Sequence, residues 1–179
     1  MIKNMGVIFL GVFALLNFSN AVADSNNLAC YQSGTSLYNM TVEQLTRLCS
    51  RAQQPDPTIP VQCYQSGTHF YNMTVTRLVT LCKDTVVAPA TGPTACYSAG
   101  TSLYNMTVDS LINLCRGATD TQPVSCYQAG TGFYNMTVQS LAILCGGAKD
   151  LSPIECYRNG IGENMTVQTL VKLCRTQNE

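Results

Sequence analysis

Residues 30–49 read CYQSGTSLYNMTVEQLTRLC, and the same phrase returns four times. Residues 63–82 read CYQSGTHFYNMTVTRLVTLC, 96–115 CYSAGTSLYNMTVDSLINLC, 126–145 CYQAGTGFYNMTVQSLAILC and 156–174 CYRNGIGENMTVQTLVKLC. Successive copies begin 33, 33, 30 and 30 residues apart. Self-similarity at a fixed period of about 20 to 50 residues marks one supersecondary unit repeated in a stacked array.

The second half of each copy reads as a helix with a defined start. Thr41 can accept a hydrogen bond from an otherwise unpaired amide of the first turn, and Thr74, Thr107, Thr137 and Thr166 repeat it. Val42, Leu45, Leu48 and Cys49 follow at spacings of three, six and seven, one apolar stripe. Met40 before the cap and Leu45 within the helix have the spacing of a hydrophobic staple, and Gln44 can close a capping box that the other copies lack. In the first half, Pro60, Pro93, Pro123 and Pro153 stand three residues before the first Cys, and Gly34, Gly67, Gly100, Gly130 and Gly160 four residues after it. Pro suits the first helical position, and Gly the left-handed residue beyond a helix end. The frame predicts a helix of about two turns; the competing reading is a strand or irregular turn, from the Cys-Tyr pair and the Gly-Thr that follows.

Each copy is therefore expected to be a short helix, a loop such as Thr35–Asn39, and a longer helix. The period is similar to that of tetratricopeptide and other helical-hairpin arrays, but their signature residues are absent and the likeness rests on period alone. The predicted class is all-α: a solenoid-like tandem array of five disulfide-stapled hairpins, with units at 24–52, 60–85, 93–118, 123–148 and 153–179. One hairpin cannot enclose a core, so neighbours must stack. Thr46, Val79, Ile112, Ala142 and Val171 share one position, polar in the first copy alone. The last copy drops a residue and its loop aromatic, reading Ile161-Gly162-Glu163-Asn164. Atypical ends are expected to cap an array. The connectors, such as 50–59 and 84–94, read as loose polar or Pro-containing linkers.

Ten Cys in an exported chain point to five bridges. The interval within a copy is 19, 19, 19, 19 and 18 residues, whereas the interval between copies varies and would strand Cys30 and Cys174. The expected pairs are Cys30–Cys49, Cys63–Cys82, Cys96–Cys115, Cys126–Cys145 and Cys156–Cys174. Export is read from the N-terminus: Lys3, the apolar run Gly6–Leu16 and the small-residue site Ala21-Val22-Ala23 make residues 1–23 a cleaved signal peptide. The run of 11 apolar residues is too short for a bilayer, which needs about 20, and the mature chain contains no other candidate span.

The full chain balances 10 Lys+Arg against 10 Asp+Glu, and charged residues are 11% of it, against roughly 25% in an ordinary soluble domain. No basic patch is present to displace counterions from phosphates, so nucleic acid is an unlikely class of partner. No two Cys are closer than 11 residues, unlike the paired ligands of zinc sites. One Met per copy is better read as packing than as a copper ligand, and no cofactor or metal is expected. The lone His69 sits at a variable loop position and the carboxylates Glu43, Asp109, Glu155 and Glu163 are scattered, so no catalytic residue is nominated.

Two surface features remain. Asn39, Asn72, Asn105, Asn135 and Asn164 each open an Asn-Met-Thr sequon; the reading preferred here is that Thr caps the helix and Asn supports the turn before it. Tyr38, Tyr71, Tyr104 and Tyr134 follow Leu37, Phe70, Leu103 and Phe133. Either both members of each pair line the interface between units, or one packs and the other forms a spaced aromatic row, a candidate surface for a protein or a glycan. Together these features point to a non-enzymatic binding or structural module, secreted or periplasmic. The alternative is a small secreted effector or inhibitor of a foreign protein; an enzyme is the third and weakest reading.

Intact mass tests export and pairing at once. The protein recovered after export should begin at Asp24, weigh ten hydrogens less than its reduced form and carry no glycan mass; a retained leader, free thiols or hexose increments would each contradict one step.

Overall fold

A computed structural model describes the backbone of residues 18–175, with side chains from residue 25 onward. Residues 1–17, with most of the expected signal peptide, lie outside it; its last stretch, 18–23, is helical backbone continuous with the first helix. The described chain is all-helical, ten helices without a strand. They are α1 (Phe18–Gly34), α2 (Val42–Cys49), α3 (Ile59–Gly67), α4 (Val75–Cys82), α5 (Gly92–Gly100), α6 (Val108–Cys115), α7 (Gln122–Gly130), α8 (Val138–Cys145), α9 (Ser152–Gly160) and α10 (Val167–Cys174). The first half of each unit is thus helical, and the strand alternative falls. The expected short-then-long hairpin does not hold: apart from α1, first helices have nine residues and second helices eight.

Helices this short do not persist alone in water, where about 12–15 residues are marginal. They persist here because both ends are fixed and one face is buried. All five second helices start as expected, the Thr hydroxyl accepting the amide three residues on at 3.1–3.4 Å. Gln44 completes the capping box, its Oε1 accepting the Thr41 amide at 2.9 Å. Each Pro occupies the second helical position, one residue later than anticipated; there too the missing amide has no helical acceptor to lose.

The helices form two layers. First helices α1, α3, α5, α7 and α9 pack in chain order, second helices α2, α4, α6, α8 and α10 likewise, and each unit's second helix also touches the next unit's first helix. All five predicted bridges join the two layers within a unit, with Cα–Cα distances of 5.5–5.6 Å. Nine of the ten Cys are buried, among Leu45, Leu78, Leu111, Leu141 and Leu170 and the Leu preceding the second Cys in the first four units. The core is one continuous spine of sulfur and leucine.

The glycine after Cys-Tyr-x-x does not end its helix in a left-handed conformation. Gly34, Gly67, Gly100, Gly130 and Gly160 are the last helical residues, and positive φ occurs instead at Gly117, Gly147, Gly162 and Asn105. Their function is clearance. A Cβ on any of them would strike the Cδ1 of the leucine four residues into the unit's second helix, Leu45 in the first unit and Leu141 in the fourth. At Gly67 and Gly130 the next unit closes the space as well, with Thr94 Cγ2 at 3.1 Å and Ile154 Cδ1 at 2.8 Å from that Cβ. Gly92 opens α5 for a similar reason: its Cβ would meet the backbone of Thr119, 2.6 Å away, in the connector after the third unit.

The connectors are not loose. Ala52, Thr85, Ala118 and Ala148, each three residues past a second Cys, are buried, their amides donating to the carbonyl of that Cys at 3.0–3.1 Å. Asp56, Asp120 and Asp150 then accept the amides of Thr58, Gln122 and Ser152, where the next helix begins, at 2.8–2.9 Å. The side-chain hydroxyls of Thr58 and Ser152 first, and then those amides, hold the carboxyls of Asp56 and Asp150 below the ordinary value of 3.8.

Val42 departs from the stripe read in the sequence. It is 70% exposed, whereas Val75, Val108, Val138 and Val167 pack against the core. Among the described residues, no further unit packs on that side of the first. Thr46 is exposed for the same reason, while Val79, Ile112, Ala142 and Val171 are buried.

Two glycines of one unit separate clearance from flexibility. Gly130→Ala gains helix propensity of about 1 kcal/mol but overpacks two neighbours at a cost of about 1–3 kcal/mol, and should lower the denaturant midpoint. Gly132→Ala meets nothing within 4 Å and should leave it unchanged or raise it slightly.

Candidate functional site

Between the two helices of each unit the chain makes two consecutive turns. In the second unit the Phe70 amide donates to the Gly67 carbonyl at 3.1 Å and the Met73 amide to the Phe70 carbonyl at 3.1 Å. The hydroxyl of Thr68 closes the preceding helix onto the Gln65 carbonyl at 2.9 Å. Equivalent bonds recur in the first, third and fourth units. Six residues wound this tightly alternate sides: the apolar residue turns in, the next out, Met tucks back and Thr caps.

The structure therefore separates each aromatic pair. Leu37, Phe70, Leu103 and Phe133 are partly buried against the core, and Phe70 and Phe133 lie against the next unit's Tyr97 and Tyr157, ring centroids 4.9 and 5.1 Å apart. Tyr38, Tyr71, Tyr104 and Tyr134 have relative exposures of 101, 101, 87 and 100%. Burial pushes the phenols of Tyr64, Tyr97 and Tyr127 up, which assigns the unit tyrosines to two roles: those beside Cys are core and those in the loops are surface. The fifth unit, one residue shorter, contributes no tyrosine to the row.

Neighbouring loops are held in fixed relation. Tyr97 donates its hydroxyl to Asn72 Oδ1 at 3.3 Å, tying the second loop to the third unit. Beside the loops, the third residue of one second helix reaches the second residue of the next. Gln44 donates to Thr76 Oγ1 at 3.3 Å, Arg77 donates to both carboxylate oxygens of Asp109 at 2.9 and 3.0 Å, and Ser110 donates to Gln139 Oε1 at 3.2 Å. The guanidinium lowers the Asp109 pKa, and the carboxylate raises that of Arg77. The linker carboxylate of Asp84 joins three units, with Arg51 at 3.1 Å and Arg116 at 3.2 Å.

An open groove of about 410 Å³ lies between the third and fourth units. It is lined by Leu103, Tyr104, Asn105, Tyr127, Phe133 and Met136 among others. Asn105 has φ of 61°, a left-handed conformation that Asn adopts more readily than most residues. The four loop segments 35–39, 68–72, 101–105 and 131–135 contain no Asp, Glu, Lys or Arg.

The remaining candidates lie apart. His69 is exposed and its ring leans on Phe70, centroids 4.3 Å apart. Glu43 is exposed in the first unit and Glu155 and Glu163 in the fifth, and Asp109 serves the ion pair with Arg77. Among the described residues no group of three or more His, Cys, Asp or Glu could hold a metal ion, and no helix is long and apolar enough to cross a membrane. The sequon asparagines are all exposed, and every sequon threonine is a helix cap.

The chain matches no family model, no curated protein and no solved structure. Five disulfides in an all-helical tandem array belong to an oxidising environment, extracellular or periplasmic, and are consistent with a structural or binding module there.

Proposed function

We propose that the protein is a non-enzymatic binding module, exported to the periplasm, the cell surface or beyond, that presents its loop tyrosines as one face. The observation that carries this reading is the full exposure of Tyr38, Tyr71 and Tyr134 and near-full exposure of Tyr104 at equivalent positions of four units. A tyrosine ring left in water gains nothing for the fold, and Tyr is enriched where binding energy concentrates because it combines an apolar body with a polar tip at low entropic cost. The turns on either side immobilise the backbone, so little ordering remains to be done on binding.

The chemistry of the face favours an uncharged, hydroxyl-rich partner. The loops offer aromatic rings, Asn side chains and Thr or Ser hydroxyls without a formal charge, which suits a neutral glycan better than an acidic or basic protein surface. Packed helices lie about 8–10 Å apart, so the tyrosines repeat at about that interval, and a repeating ligand could meet several in succession with the gain of multivalency. Near-identity of the units supports the non-enzymatic reading, since a reaction centre would have to stand out from its copies.

The test compares the native protein with a variant carrying Tyr→Ala at positions 38, 71, 104 and 134. Melting should be unchanged, as for other exposed substitutions within about 0.5 kcal/mol. Retention on the neutral polysaccharides chitin and cellulose, and on the producer's envelope fraction, should fall by about tenfold per tyrosine removed, the effect of about 1.4 kcal/mol each. Equal retention of both proteins would refute the face; loss of binding to envelope proteins alone would assign it to a protein partner.

A further inference from the structure

At the two ends of the array, residues whose counterparts are buried at internal junctions stand exposed. At three of the four internal junctions, the residue two positions before the first Cys of one unit sits on the helix-ending glycine of the unit before. Val61 Cγ2 lies 3.3 Å from the Cβ position of Gly34, and Thr94 and Ile154 approach Gly67 and Gly130 in the same way. Val61, Thr94, Val124 and Ile154 are accordingly buried. In the first unit this position is Leu28, which has no preceding unit to sit on among the described residues and is 57% exposed. Val42 stands exposed on the second helix of the same unit.

The other end shows the complementary deficit. Leu48, Leu81, Leu114 and Leu144, each just before a second Cys, are completely buried. Their counterpart Leu173 is 67% exposed. Gly160, the seat of the fifth unit, is partly exposed, whereas Gly34, Gly67, Gly100 and Gly130 are buried. Ile161 and Met165 flank it, also exposed. One end thus offers an apolar knob without a seat, and the other a seat without a knob.

We propose that the chain binds a second copy of itself head to tail, Leu28 of one molecule over Gly160 of the next and Leu173 covered by the first unit that follows. The occupant is set by continuity: four junctions inside the molecule already join this pair of surfaces. The polar ladder extends too, because Thr169, third in its helix, would face Glu43, second in its own, as Gln44 faces Thr76 and Ser110 faces Gln139. Thr46 in place of the buried Val79 type makes the junction weaker than an internal one, so the assembly is reversible. Such a contact joins unlike surfaces and leaves a free head and tail after each addition, giving open-ended chains rather than a closed dimer, and it would extend the tyrosine face from one molecule to the next.

The test is sedimentation of the oxidised, exported protein across the micromolar to millimolar range. The native protein should grow continuously in average mass beyond a dimer. Leu28→Glu and Leu173→Glu, both at exposed positions and both keeping native helicity by circular dichroism, should each weaken self-association at least tenfold. Mixed together, the two variants should form a one-to-one pair and stop, because one keeps an intact tail and the other an intact head. A native protein that stays monomeric throughout, a variant that still self-associates as the native does, or a mixture that stays monomeric would each overturn the proposal.

Discussion

The structure depends on one covalent constraint, repeated five times: a bridge from the residue four before the end of each first helix to the final residue of the second. Neither helix, at eight or nine residues, has enough backbone hydrogen bonds to outlast fraying, and a unit of about 30 residues has too little interior to hold itself together. Closing a loop of about 20 residues removes conformations worth about 3 kcal/mol from the unfolded chain, a large term beside a net stability of about 5–15 kcal/mol. Because the bridges are buried, they also serve as packing volume, and the leucines are arranged around them.

Stacking follows from that constraint. A clipped hairpin still exposes apolar side chains on both flat sides, and only a neighbour of the same shape can cover them. The clearance at Gly67 and Gly130 lets the next unit's Thr94 and Ile154 descend onto the helix end, and the inward residue of each loop leans on the next unit's buried tyrosine. The turns are thereby fixed on both sides, and their outward residue is left in water. The tyrosine row is a by-product of the stacking geometry in position, but not in identity: any polar residue would satisfy the fold there.

Much of this was legible in the sequence, because five copies act as five readings of one design. The period, the Thr caps and the near-constant interval within units gave the helices, the stacking and all five disulfide pairs. The glycine was placed correctly and explained wrongly: four residues past a Cys it looks like a left-handed helix stop, whereas clearance for Leu45 or Leu141 is visible only once the second helix folds back. The buried Ala52, Thr85, Ala118 and Ala148 were missed among polar linkers, although a small residue three places after the second Cys was a signal. The separation of Leu37 from Tyr38, or Phe133 from Tyr134, could not be read from adjacency, since both residues are apolar and only the turn geometry decides which one faces in. Leu28 and Leu173 match their buried counterparts in type, and their exposure comes purely from position.

The central claim is that the bridges, and not the stacked core alone, hold the array together. Circular dichroism through a thermal melt, before and after complete reduction with alkylation of the thiols, tests it most directly. The account predicts that the helical signal at room temperature is largely lost in a single cooperative step as reductant is added. Native helicity with an unchanged melting temperature in the fully reduced protein would contradict it.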